Sequence, residues 1–97
     1  MAFVQMIDMH SKQFDQMMAG DEEWFAKTEG KRTLTHSLVG RDRNDPDHYV
    51  ILAFFDSYED AMTNSEMPET QHFAEVFSKL ADQPIGFLDL DVVNEHT

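Results

Sequence analysis

The chain contains no cysteine. Disulfide bridges, thiolate catalysis and zinc sites built on cysteine are therefore excluded, and the absence suits a reducing compartment. Basic residues are scarce: seven Lys and Arg face nineteen Asp and Glu, for a net charge of −12. A nucleic-acid binder needs clustered cations to release phosphate counterions. Here Lys31-Arg32, with Arg41 and Arg43 further on, is the longest basic feature. Nucleic acid and anionic membrane surfaces are thus not expected partners. No apolar run approaches the ~20 residues needed to span a bilayer. The first residues lack the basic, apolar and small-residue succession of a secretion signal. These features together lead us to expect a soluble cytoplasmic protein. There is also no glycine-rich phosphate loop and no nucleophile elbow, which disfavours nucleotide chemistry and serine-type hydrolysis.

What is present points to one globular domain over residues 1–97. The hydrophobic fraction is 41%, and a chain of this size buries roughly 60–70% of its unfolded surface. Aromatic content is mostly phenylalanine, eight residues, with two Tyr and the single Trp24. Seven Met are many for this length. They read as flexible core filler, with an adaptable pocket lining as the alternative.

Periodicity divides the chain into a short series of elements. Ala2 to Met9 is apolar-rich and reads as a strand, followed by Ser11 as a candidate helix N-cap. Between Lys12 and Lys27 the residues Phe14, Met17, Met18, Trp24 and Phe25 suit one helical face. Gly20-Asp21 interrupts it, predicting a bend or a restart capped by Asp21, and Gly30 marks the exit. Thr33 to Arg41 alternates, with Leu34, His36 and Leu38 on one face. Asp42 to Asp47 is turn chemistry, and His48 to Phe55 is a further strand, forming an antiparallel hairpin with the previous one. Ser57 opens a helix in a capping-box-like pattern with Asp60. Pro68 suits the first turn of another, whose apolar face is Phe73, Val76, Phe77, Leu80 and Ala81. Ile85 to Val93 alternates as a last strand. The order β-α-β-β-α-β predicts an α+β, ferredoxin-like fold: a four-stranded antiparallel sheet with its helices on one face.

The strand from His48 carries Tyr49, Ile51, Ala53 and Phe55 on one face and Val50, Leu52 and Phe54 on the other. The first strand is also apolar on both faces. An antiparallel sheet with one wet face should alternate cleanly, and two helices cover only one face. Soluble monomers rarely expose a large apolar patch. The expected cover is the same sheet of a second copy, giving a homodimer through the sheet face.

The run YVILAFFDSYEDAMTNSEMPETQHFAEVF, Tyr49 to Phe77, resembles the dimeric α/β barrel superfamily and in particular its small antibiotic-biosynthesis-monooxygenase-like members. The shared elements are a strand, a Ser-capped helix, an Asn-Ser step before a proline, and a second helix. The resemblance implies a homodimeric barrel with a ligand cavity between sheet and helices in each subunit. It also implies a small hydrophobic or aromatic ligand. Activities in the superfamily include cofactor-independent oxidation of polyketide-like aromatics and haem degradation, so the fold does not settle the function.

Two candidate residues follow from the resemblance. In the haem-degrading branch a His on the second helix binds iron after an Asn-Ser step, and Asn64-Ser65 followed by His72 looks like that arrangement. Met62 stands where that branch has a Trp, and Gln5 and Ile7 where it has an Asn. Asn64 matches polar residues that hold a substrate oxygen in related oxygenases, and alternatively ends its helix in a left-handed cap. His72 reads otherwise as a surface histidine. His36, if its strand face lines the cavity, is a candidate base. Trp24, Tyr49 and Phe73 are candidate substrate contacts, Tyr49 also a proton acceptor and Trp24 otherwise a core anchor. Asp8 with His10, or Asp89 with Asp91, share a strand face at i, i+2 spacing. No third ligand is visible in the sequence, so no metal site is expected.

Three functions compete: a cofactor-independent monooxygenase acting on an aromatic or polyketide-like substrate, a haem-binding or haem-degrading protein using His72, and a non-catalytic dimeric binding module.

Overall fold

Strand and helix positions follow the hydrophobic pattern closely, and the departures come from packing. The structure, a computed structural model, describes residues 2–96. Its elements are β1 (Phe3–His10), α1 (Phe14–Lys27), β2 (Leu34–Arg41), β3 (His48–Phe55), α2 (Tyr58–Glu66), α3 (Pro68–Leu80) and β4 (Gly86–Asp91). The strands form one sheet in the order β2-β3-β1-β4, with every neighbouring pair antiparallel. This is the expected ferredoxin-like α+β arrangement, its second helical segment divided in two. None of the helices is long and apolar enough to cross a membrane.

The division between α2 and α3 is local chemistry. Ser57 accepts a hydrogen bond from the Asp60 backbone N–H at 3.1 Å and caps α2. Met67, the residue before Pro68, is extended at φ −64° and ψ 137°. A proline ring clashes with a helical residue before it, so the chain must leave the helix at Met67. Pro68 then starts α3, where a missing N–H costs nothing.

Two local expectations are corrected. Gly20-Asp21 does not break α1, which runs unbroken for 14 residues. The contact with α3 overrides the weak helix propensity of glycine, about 1 kcal/mol: a Cβ at Gly20 would sit 3.7 Å from Val76 Cγ1, and Met17 and Trp24 are buried on either side. Nor is Ser11 the N-cap of α1, a position held by Gln13. Buried Ser11 instead accepts from the Gln13 N–H at 2.9 Å and donates to the Leu80 carbonyl at 2.7 Å, joining the start of α1 to the end of α3.

A third correction bears on the site. The register between β2 and β3 shifts between Leu34 and His36. Leu34 opposes Phe55, whereas Ser37 opposes Ala53 and Val39 opposes Ile51. A bulge inserts one extra residue and resets the alternation. Leu34, Ser37 and Val39 thus share the helix-facing side, and His36 and Leu38 turn to the outer side.

On the helix side, Met9, Met17, Tyr49, Ile51 and Phe77 form one buried cluster, and Phe3, Ala53, Phe55 and Ala61 another. Met9 and Met17 are fully buried, as core filler would be. The outer face is different. Leu38, Leu88 and Leu90 are 44%, 49% and 41% exposed, and Met6, Val50, Leu52 and Phe54 are only half-buried.

Candidate functional site

Between the sheet and the three helices the side chains leave an open cavity of about 260 Å³. That is near the lower end for ligand pockets, roughly 300–1,000 Å³. Its lining is mostly apolar: Ile7, Ile51 and Ala53 on the sheet, Trp24 and Phe25 on α1, and Phe73 and Phe77 on α3. Against such an apolar lining the few polar groups are the ones with chemistry to offer.

Asn64 is the most informative of these polar groups. It lies within α2, whose C-cap is Met67. No non-glycine residue among those described has a positive φ, so Asn64 is not a left-handed helix terminator. It is 7% exposed, and its Oδ1 is buried without a hydrogen-bond partner. Leaving a buried acceptor unpaired costs about 1–3 kcal/mol. An asparagine χ2 is soft, so the amide can turn to present its N–H₂ or its oxygen to the cavity that it lines.

Asp21 also lines the cavity. Burial, with a smaller contribution from the Glu22 charge, pushes its carboxyl above the ordinary 3.8. A carboxylate shifted upward in an apolar wall is a better proton acceptor than a solvated one. In the sequence Asp21 stands only as the cap of a restarted helix, the alternative to a bend at Gly20-Asp21. The available signal was its spacing: Asp21, Trp24 and Phe25 stand at i, i+3 and i+4 on one helical face.

Trp24 forms the wall between this cavity and a second groove on the outside of α1 and α3. Its indole N–H donates to Thr70 Oγ1 at 2.9 Å, and its ring tilts against Phe73 with centroids 6.0 Å apart. The hydrogen bond locks the ring, so Trp24 offers the cavity a face and not a donor.

Asn64, Trp24 and Phe73 therefore come together, and the other three candidates do not. His36 is exposed on the outer sheet face, tilted against Phe54 at 5.3 Å, because of the bulge in β2. Tyr49 is 4% exposed and stacks on Phe14 at 4.1 Å. Its hydroxyl accepts from Arg41 Nε at 3.2 Å, and it does not line the cavity. His72 is exposed in the outer groove, near Glu23 and Lys27. A residue so placed could not hold an iron bound inside the cavity.

No protein-family model matches the sequence, and no curated protein does. Solved structures do. SnoaB, a cofactor-independent oxygenase from Streptomyces nogalater solved as an asparagine-to-alanine variant, matches with a TM-score of 0.83 at 9% identity, covering 97% of this chain and 95% of that one. Rv0793 from Mycobacterium tuberculosis matches at 0.82 and 9% identity over the full length of both. An antibiotic biosynthesis monooxygenase matches at 0.76 and 16% identity, covering 97% of this chain and 100% of that one. The chain has the fold of the antibiotic biosynthesis monooxygenase-like proteins.

Proposed function

We propose that this protein binds a small, flat, conjugated molecule in its cavity and oxidises it with dioxygen, without a prosthetic group. The observation that carries this reading is Asn64, a buried amide with an unpaired Oδ1 in the wall of an otherwise apolar cavity. Nothing in the packing of the described residues accounts for it, and a ligand hydroxyl donating to Oδ1 would. The structural likeness to SnoaB, itself a cofactor-independent oxygenase, supports the same class of chemistry.

Direct reaction with dioxygen requires an electron-rich substrate anion. Asp21 accepts the proton of a phenol or of an acidic ring CH₂, and its raised pKa suits that step. The Asn64 amide N–H₂ holds the resulting oxyanion, while Trp24 and Phe73 pack against the ring. The ring carbon bonds to one oxygen atom of dioxygen. Cleavage of the O–O bond then leaves a carbonyl, and the second oxygen departs as water with the two hydrogens of the substrate. A ring CH₂ thus becomes C=O, and no external electron donor is consumed. The cavity volume favours one or two rings.

The working form is a homodimer in which the outer sheet faces of two copies pack together as a barrel. The exposed Leu38, Leu88 and Leu90, continuous with Val50, Leu52 and Phe54, support it. Burying such a face at roughly 25 cal/mol per Å² is a strong drive to associate.

The test is oxygen uptake and ¹⁸O incorporation from ¹⁸O₂ with one- and two-ring hydroxyarenes, in chelator-treated buffer. Incorporation of one labelled atom is expected, with turnover lost under nitrogen. Product formation at an unchanged rate without dioxygen would sink the proposal.

A further inference from the structure

On the sheet face opposite the cavity, at the end of β1 and β3, two histidines and an aspartate come together. The pairing register sets His10 opposite His48 and Asp8 opposite Val50. Asp8 and His10 share a face at i, i+2 spacing, and His48 lies on that same face through its partner. The third group invisible in the local motif around Asp8 and His10 thus arrives from a residue 38 positions further on. One ligating atom from each of Asp8, His10 and His48 lies within 4.8 Å of the others.

We propose that Asp8, His10 and His48 form a binding site for a first-row divalent transition ion of the zinc class. Two imidazoles and one carboxylate match the donors such ions prefer, whereas magnesium and calcium take oxygen sets. Bond lengths of about 2.0–2.2 Å place the donors of a tetrahedral ion roughly 3.4 Å apart. His48 Nε2 and Asp8 Oδ1 are joined by a hydrogen bond at 2.9 Å, and the ion would take the place of its proton, parting the two donors slightly.

The surroundings are those of a metal-bound imidazole. His48 Nδ1–H donates to Asp42 Oδ2 at 2.9 Å, the carboxylate–histidine arrangement that fixes ring orientation and leaves the other nitrogen to the metal. The Gln83 amide lies 2.7 Å from His10 Nδ1; with that amide turned, its oxygen accepts the Nδ1–H and leaves Nε2 to the ion. Asp45 Oδ2, 3.8 Å from His10 Nε2, is in position to approach as a fourth ligand. One adjustment is needed. The rings of His10 and His48 are stacked at 4.4 Å and within 7° of parallel, so they must fan apart for their in-plane lone pairs to converge. Histidine χ2 is broad, and the motion stays within the side chains. A bound ion would pin the turn between β2 and β3 to β1.

The full-length chain, freed of any histidine tag, is titrated with ZnCl₂ by calorimetry in a non-chelating buffer, and with CoCl₂ by visible absorption. One zinc per chain is expected, with a raised thermal midpoint that EDTA reverses. His10→Gln and His48→Gln should each weaken binding at least 100-fold, and His36→Gln on the same outer face should leave it unchanged. Should a variant fail to fold, the wild type suffices: paramagnetic cobalt must broaden the ring resonances of His10 and His48 in preference to those of the other histidines. Absence of stoichiometric zinc binding, zinc affinity that survives both His10→Gln and His48→Gln, or broadening spread evenly over the histidines each overturns the site.

Discussion

Asn64→Leu should make the protein more stable and its site worse. The side chain is 7% exposed and its Oδ1 has no partner. An unpaired buried acceptor costs about 1–3 kcal/mol, and an apolar residue of similar size removes that cost. Repacking around a near-isosteric residue returns less than about 1.5 kcal/mol, so a net gain near 1 kcal/mol is expected. For a domain of about 100 residues that raises the thermal midpoint by roughly 4–8 °C. Both proteins must be melted at one chain concentration, because association raises the midpoint by mass action. Binding moves the other way. A hydrogen bond to an anionic ligand contributes about 1.5–3 kcal/mol, so a phenolate analogue should bind roughly 10- to 150-fold more weakly. Quenching of Trp24, the single tryptophan, reads that affinity directly. A variant that melts lower and binds the analogue as tightly as wild type would refute the reasoning, because Asn64 would then be a structural residue.

Asp21→Asn carries a pH signature. Burial raises the folded-state pKa above the unfolded value, so the folded chain holds this proton more tightly and the stabilisation is lost as pH rises through the raised pKa. The asparagine variant should therefore melt higher than wild type at pH 7, with the gap closing as pH falls toward the ordinary 3.8; a gap independent of pH would reject it. Its turnover should fall at neutral pH as well, measured by oxygen uptake. Thr70→Val removes the acceptor of the Trp24 N–H; a midpoint lowered by an orphaned donor, about 1–3 kcal/mol, and a changed Trp24 emission are expected, and unaltered emission would contradict a locked ring. Light scattering at micromolar concentration should give twice the 11.2 kDa chain mass, and Leu52→Asp, at the centre of the outer face, should give a monomer. A wild-type monomer would dismiss the dimer.

The strands were legible because their pattern is strong. His48 to Phe55 was expected and found over the same residues, and its doubly apolar character appears as one buried face and one half-exposed face. Ser57 and Pro68 act through a cap and a missing N–H, both local effects, so the sequence shows where α2 and α3 begin. Gly20 and Ser11 misled because their roles lie between elements. Packing of α1 on α3 outweighs the weak propensity of glycine, and the Ser11 hydroxyl serves a carbonyl 69 residues away.

The candidate site divides along the same line. Trp24 and Phe73 stand on apolar helical faces, and such faces turn inward toward the sheet, so periodicity alone carries them to the cavity. His36 required the strand to alternate without error. One extra residue in β2 reverses every side chain after it, and no composition or spacing in Thr33 to Arg41 announces it. The converse holds for His48. Its meeting with Asp8 and His10 depends on register across β1 and β3, a relation set across the 37 residues between them, which hold α1, β2 and their connections. Periodicity assigns a residue to a face, whereas chemistry needs several residues at one point on that face. The step from face to point is made by register, and register is decided by the sheet as a whole. Asn64 belongs to neither class: its position on α2 was predictable, but the unpaired oxygen that makes it informative exists only once the helix is packed.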